Sequence, residues 1–232
     1  MRNHAMVILA AVFFASVGAA AKEPSRGALW KDVSEQRAKL RDAEERLLAP
    51  DPGDVRAFAG FLSRPDTGLV RLLPRERGEN ALALRGGGAY YSFSRRTHEY
   101  GNGSDIELSN GALISGFAGA DFGFFEETAE LPLESTTSEH PAASIFSALD
   151  VPTTLAGARE VQAGSRAGTA AGRPRLLRQV GASLEQSYVL RSVNYGFSDV
   201  LVAFRVVRQD EDGSITLQWK LLKRFPTPDL KD

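Results

Sequence analysis

Between Arg85 and Asp105 the chain reads RGGGAYYSFSRRTHEYGNGSD. A glycine triplet, paired tyrosines, paired arginines and one of three histidines share this run. Phosphate binding is the first chemistry to test. Glycine-rich phosphate loops follow a strand and open a helix, whose N-terminus holds the anion. Gly86-Gly87-Gly88 instead runs into the β pattern Ala89-Tyr90-Tyr91-Ser92-Phe93, with no Lys-Ser/Thr partner. The triplet reads as a bend or bulge linking two strands.

Metal binding and nucleophilic catalysis are the next two. The chain has no cysteine, and His98 and His140 stand far apart with no His-x-x-His spacing, so neither a metal site nor a cofactor is expected. Asp210, Asp212 and Gly213 resemble the start of a calcium loop, but no closing glutamate follows. His98 has Ser92, Ser94 and Ser104 near it in sequence, and Asp105 in position to orient it. No Gly-x-Ser-x-Gly elbow exists. Asp105 and Glu107 could share a strand face as a carboxylate pair, so a hydrolase built on residues 98–107 is one alternative.

Noncovalent binding fits the run best. Tyr91 and Phe93 alternate onto one face, assigned to the core, and Tyr90, Ser92, Ser94 and Arg96 onto the other. A flat ring beside charge-assisted donors suits a carboxylate, a sugar or a peptide. The candidate binding residues are Tyr90, Arg95, Arg96, His98, Tyr100 and Asp105.

The elements that must position this run are readable on both sides. Before it, Gly27 to Ala49 places Leu29, Val33, Leu40, Ala43 and Leu47 at helical spacing. Opposite charges at i,i+4 (Glu35/Lys39, Arg41/Glu45, Asp42/Arg46) flank that seam. The seam is expected to pack on its own domain. Self-association through the helix over 28–49 is the alternative. Asp51-Pro52-Gly53-Asp54 starts a second helix, with Val55, Phe58, Ala59 and Leu62 on one face. Leu69 to Leu73 reads as a strand, and from Ala81 the period becomes two.

After the run, Asn110-Gly111 predicts a two-residue hairpin turn, since both central positions need positive φ. Phe122 to Phe125 adds a strand, and Pro141 to Leu149 one or two helical turns. Residues 134–174 form a flexible polar and Ala/Gly-rich insertion, with Ala156 to Gly172 read as a mobile loop. The C-terminal third is a hairpin. Val200, Val202, Phe204 and Val206 face Leu221, Trp219, Leu217 and Ile215, and Tyr188 to Val193 supplies a third strand. Thr216, Gln218 and Lys220 on the reverse face are expected to look toward water.

The fold class is therefore α+β, with two N-terminal helices packed on a mainly antiparallel sheet in a single domain. Helices first and a curved sheet after resembles the element order of cone-shaped NTF2-like folds, at the level of fold alone.

The N-terminus supplies the compartment. Arg2 precedes an uncharged apolar run, Ala5 to Val17, and Ala19-Ala20-Ala21 is a cleavage pattern before Lys22. That is the form of a secretory signal peptide over residues 1–21, leaving 22–232 as one exported domain. The run falls short of the ~20 residues of a spanning helix, so no transmembrane span is expected after cleavage. Without Arg2 the charge is 27 Lys+Arg against 29 Asp+Glu, or −2, which points away from nucleic acid. The resulting expectation is a bacterial protein, periplasmic or extracellular, acting as a non-catalytic binding or interaction module. Its partner would be a small molecule, a glycan or an envelope protein.

Overall fold

A computed structural model describes residues 23–101, 103–128, 131–167 and 177–231. The expected leader and residues 168–174 of the expected insertion lie outside these. The chain divides into two units between Lys39 and Leu40. Helix α1, Arg26–Leu48, runs through that division. It is capped by Ser25, whose Oγ accepts from Ala28 N at 3.2 Å. In the first unit Leu29, Trp30 and Val33 are exposed. In the second, Leu40 and Leu47 are exposed and the helix is buried at Glu44 and Leu48 instead. Within the second unit the helix therefore packs through Glu44 and Leu48, not through the expected Leu40 and Leu47.

The rest of the second unit is antiparallel sheet with helices. Asp51 caps α2, Pro52–Ala57, by accepting from Gly53 N at 2.6 Å, and Pro52 takes the first position as expected. Helix α3, Ala59–Leu62, continues from it, and strand β1, Thr67–Leu72, follows. Helix α4 (Arg75–Gly78) leads toward β2 (Tyr90–Tyr91), β3 (Ile106–Ser109), β4 (Ala112–Ile114) and β5 (Phe122–Thr128). Helices α5 (Pro141–Ser147) and α6 (Leu155–Ala167) come next. The last strands are β6 (Gln179–Gly181), β7 (Ser187–Asn194), β8 (Ser198–Gln209) and β9 (Ile215–Arg224).

The strands form two sheets where one curved sheet was expected: β1-β9-β8-β7-β5 and β2-β3-β4-β6. Alternation explains how the larger sheet holds two cores. Tyr188, Leu190, Val200, Val202, Phe204 and Val206 meet Tyr91, Ile106, Leu108 and Leu113 of the smaller sheet. Val189, Val193, Leu201 and Ala203 point the other way, to Phe61 of α3 and to Ala143 and Phe146 of α5. Every residue of β7 is accordingly buried.

Four local expectations need correction. The C-terminal hairpin pairs Val206 with Leu217, Phe204 with Trp219 and Val202 with Leu221, two residues from the expected register. A bulge between Val206 and Arg208 leaves Val207 out of the ladder. A two-residue slip keeps side chains on the same face, so all eight apolar residues still enter one core. Thr216 and Gln218 are buried, not solvent-facing. Segment 131–136 crosses that side: Leu131 and Leu133 join the second core, and Lys220 Nζ donates to the carbonyls of Glu134 and Thr136 at 3.2 and 2.8 Å.

Residues 81–84 form turns and no strand, because Ala81 and Leu82 close hydrogen bonds back to Gly78. Of the stretch 156–172 read as a mobile loop, residues 156–167 are helical, within α6, and the rest lies outside the described residues. Alanine is the best helix former, and the helix is seated by buried Ala158, by Val161 against the second core and by Gln162 on the carbonyls of Gly119 and Asp121. The Asn-Gly hairpin stands as expected, with φ of 48° at Asn110 and 72° at Gly111 and Ser109 paired with Ala112.

Candidate functional site

The glycine triplet builds the ground on which the site stands. Gly86, Gly87 and Gly88 all have positive φ, at 86°, 61° and 77°. A Cβ on Gly87 would lie 2.0 Å from the backbone carbon of Gly78, and one on Gly88 2.4 Å from Leu48 Cδ2. The loop docks by its backbone, leaving it no free face for a phosphate. On Gly86 a Cβ would meet Tyr90 and Tyr100, whose ring centroids are 4.5 Å apart, with Phe117 5.2 Å from Tyr90. Tyr90 is thus buried in an aromatic cluster, and its hydroxyl is pushed well above the usual tyrosine range by burial and by Glu107. It does not present an open face.

Only Tyr90–Tyr91 is strand before the chain turns sharply. Ser92 N donates to Thr97 O at 2.9 Å and Arg96 N to Ser92 O at 2.7 Å, with Arg96 at φ 54°. Asp105 anchors this turn. Its Oδ2 accepts from Phe93 N at 2.7 Å and its Oδ1 from Asn194 Nδ2 at 2.8 Å. Asp105 is fully buried, and burial pushes its carboxyl up to about 7 against hydrogen bonds that favour the charged form. It ties the turn to β7 and is out of a ligand's reach.

The turn presents its arginines on aromatic rings. The Arg96 guanidinium lies 5.2 Å from the centroid of Trp219, Arg95 5.3 Å from Phe197, and Arg85 5.3 Å from Tyr100. None of the three donates a side-chain hydrogen bond or reaches a carboxylate within 4.0 Å among the described residues. Stacking holds the flat face of each guanidinium and leaves its N–H edges to solvent.

Arg96, Thr97 and His98 line a cleft of about 440 Å³ with Arg41, Glu44, Glu45, Leu48, Ala49 and Leu84. His98 Nε2 is 2.8 Å from Arg71 O, so this nitrogen carries the proton and donates, leaving Nδ1 as an acceptor. Burial depresses the His98 pKa, which keeps the ring neutral. Glu44 is committed, its Oε1 accepting from Ala83 N at 2.5 Å.

The chain matches no family model, no curated protein and no solved structure. Function therefore has to be argued from the site alone.

Of the six residues expected at the site, Arg96 and His98 meet in the cleft. Arg95 sits on Phe197, Tyr90 and Tyr100 form the aromatic cluster, and Asp105 is internal. The carboxylate chemistry expected at 98–107 has its members engaged apart: Asp105 with Asn194 and Phe93 N, Glu107 with Arg75 at 3.2 Å, His98 with Arg71 O. No group of three His, Asp or Glu suited to a metal occurs among the described residues. No described helix is long and apolar enough to cross a membrane.

Sequence reasoning missed Arg41, Leu84, Trp219 and Phe197. For Phe197 a signal existed: an aromatic directly after the turn glycine Gly196, where burial is unexpected. Trp219 carried none, since its alternation assigned it correctly to the core.

Proposed function

We propose that this is an exported, non-catalytic binding module whose cleft at Arg96 and His98 takes an anionic small molecule with an apolar body. One observation carries the reading. Arg96 is stacked on a buried tryptophan with every guanidinium donor unused among the described residues, at the edge of a cleft walled by Leu48, Ala49 and Leu84. A planar guanidinium with free edges matches a carboxylate or phosphate bidentately. The cleft volume falls in the ~300–1,000 Å³ range of small-molecule sites. The separate engagement of His98, Asp105 and Glu107 favours binding over hydrolysis.

The test is a thermal-shift series on the chain from Lys22 onward with benzoate, octanoate and phenyl phosphate. At least one should raise the melting temperature, and Arg96→Ala should abolish the rise. A rise that survives Arg96→Ala removes the cleft from consideration. Export rests on the leader-like residues 1–21. It predicts a secreted or periplasmic product whose mass begins at Lys22; an unprocessed product in the cytosol counts against it.

A second reading is favoured by the exposure of Leu29 and Val33 in the first unit and of Leu40 in the second. An apolar seam left uncovered suits self-association through α1. Light scattering should show a concentration-dependent dimer that Leu40→Glu returns to monomer. A wild-type monomer at every concentration removes it.

A further inference from the structure

The cleft carries uncompensated charge of both signs. Arg41 and Glu45 stand at i,i+4 on α1, the spacing at which opposite charges pair, yet no ion pair joins them within 4.0 Å. Neither has any other side-chain hydrogen bond or ion-pair partner among the described residues, nor does Arg96. His98 adds a neutral acceptor, Nδ1, because Nε2–H is spent on Arg71 O. The same cleft thus offers guanidinium donors for an anion and a carboxylate with an imidazole nitrogen for a cation. Leu48, Ala49 and Leu84 give it an apolar wall.

From this juxtaposition we infer that the ligand is a zwitterion: an amino acid or short peptide with a free α-carboxylate, a free α-ammonium and an apolar side chain. The carboxylate goes to Arg96, supported by Arg41. The ammonium goes to Glu45, with His98 Nδ1 as a further acceptor. Glu44 is buried with its Oε1 held by Ala83 N, so the exposed Glu45 is the carboxylate assigned to the ammonium. The inference rests on the reading of this cleft as the binding site. It adds that recognition is two-headed, which a site for simple anions would not be. A neutral His98 is needed for that second head, and burial together with the Arg71 carbonyl keeps the ring in the acceptor tautomer.

The experiment is isothermal titration of the chain from Lys22 onward with leucyl-leucine, N-acetyl-leucyl-leucine and leucyl-leucine amide. The free dipeptide should bind, and blocking either end should weaken it at least about tenfold, the loss of one charge-assisted hydrogen bond. Glu45→Gln should weaken the free dipeptide by a similar factor and leave the acetylated one unchanged. Arg96→Ala should weaken both of these and leave the amide unchanged. Equal binding of free and acetylated dipeptide overturns the zwitterion while the anionic-ligand reading stands. So does binding of benzoate, octanoate or phenyl phosphate with no binding of any dipeptide. If nothing in either series binds, both readings fall together.

Discussion

Arg191 and Arg96 both lie against aromatic rings, under opposite conditions. Arg191 is 3 % exposed, with its guanidinium 3.9 Å from the Phe225 centroid. Its Nε and Nη2 grip both oxygens of buried Asp199 at 3.0 and 2.8 Å, and Nη1 donates to the carbonyls of Phe146 and Leu149. Arg96 stacks on Trp219, and its guanidinium donates to nothing among the described residues. The first arginine spends four of its five guanidinium N–H donors inside the fold, joining β7, β8 and the end of α5. The second has had its apolar face immobilised while its polar edge is unspent. Aromatic stacking alone therefore says little about an arginine's role; the count of donors left over decides between scaffold and recognition.

The largest effect should come from breaking the scaffold member of the pair. Asp199→Ala leaves a buried, unpaired guanidinium and is expected to cost about 3–5 kcal/mol by chemical denaturation. Arg96→Ala removes an exposed stack and should cost no more than about 1 kcal/mol. Similar losses from the two substitutions would erase the contrast.

Glycines sharpen the same contrast one step down. Gly87→Ala puts a methyl into the Gly78 backbone and should destabilise by several kcal/mol, beyond the left-handed penalty itself. At Gly111 nothing lies within 4 Å, so Gly111→Ala should cost only about 1–2 kcal/mol for its positive φ. Equal melting-temperature losses would mean that the 86–88 loop is not docked as described.

The smallest effect concerns Asp105, which secures the arginine-bearing turn. Its folded carboxyl titrates near 7, above its ordinary value of 3.8, so the folded state holds this proton more tightly than the unfolded chain does. Its contribution is complete below about pH 4 and is lost as pH rises through 7. Asp121, pushed up to about 6 by burial, adds a slope of the same sign that ends sooner. These two groups lower the denaturation midpoint between pH 5 and pH 8, against a rise of opposite sign below about 6.5 from the depressed His98. In Asp105→Asn the part of that fall above pH 6 should disappear. An undiminished fall would place its origin elsewhere.

Much of the frame was legible in the sequence because its signals are local. Asn110-Gly111 needs two positive φ values, and few residues other than Asn and Gly supply them. Alternation in β8 and β9 assigned eight side chains to the right face. The exact register was not legible, since the bulge at Val207 depends on how the strand is packed. Helix α6 was missed because its seat is sparse, Ala158 and Val161 alone among its apolar side chains with a core contact among the described residues, and alanine reads equally well as linker. The site was half legible. Arg96 and His98 announce themselves by type, whereas Trp219 and Arg41 reach them only through the tertiary fold. Tyr90 looked outward by alternation, but the smaller sheet's outer face is covered there by Tyr100 and Phe117.

The backbone contact between Gly78 and Gly87 has a consequence for any mutational survey of this protein. Substitutions at 78 and 87 would be eliminated by loss of folding, because a Cβ there collides with backbone, and those at 86 and 88 would be depleted by their positive φ. Glu45, exposed and with no side-chain partner among the described residues, would tolerate almost every replacement under selection for abundance, and Arg96 most that accept its positive φ. A tolerance map read without a binding assay would therefore mark the glycine loop as the business end of the molecule and pass over the cleft beside it.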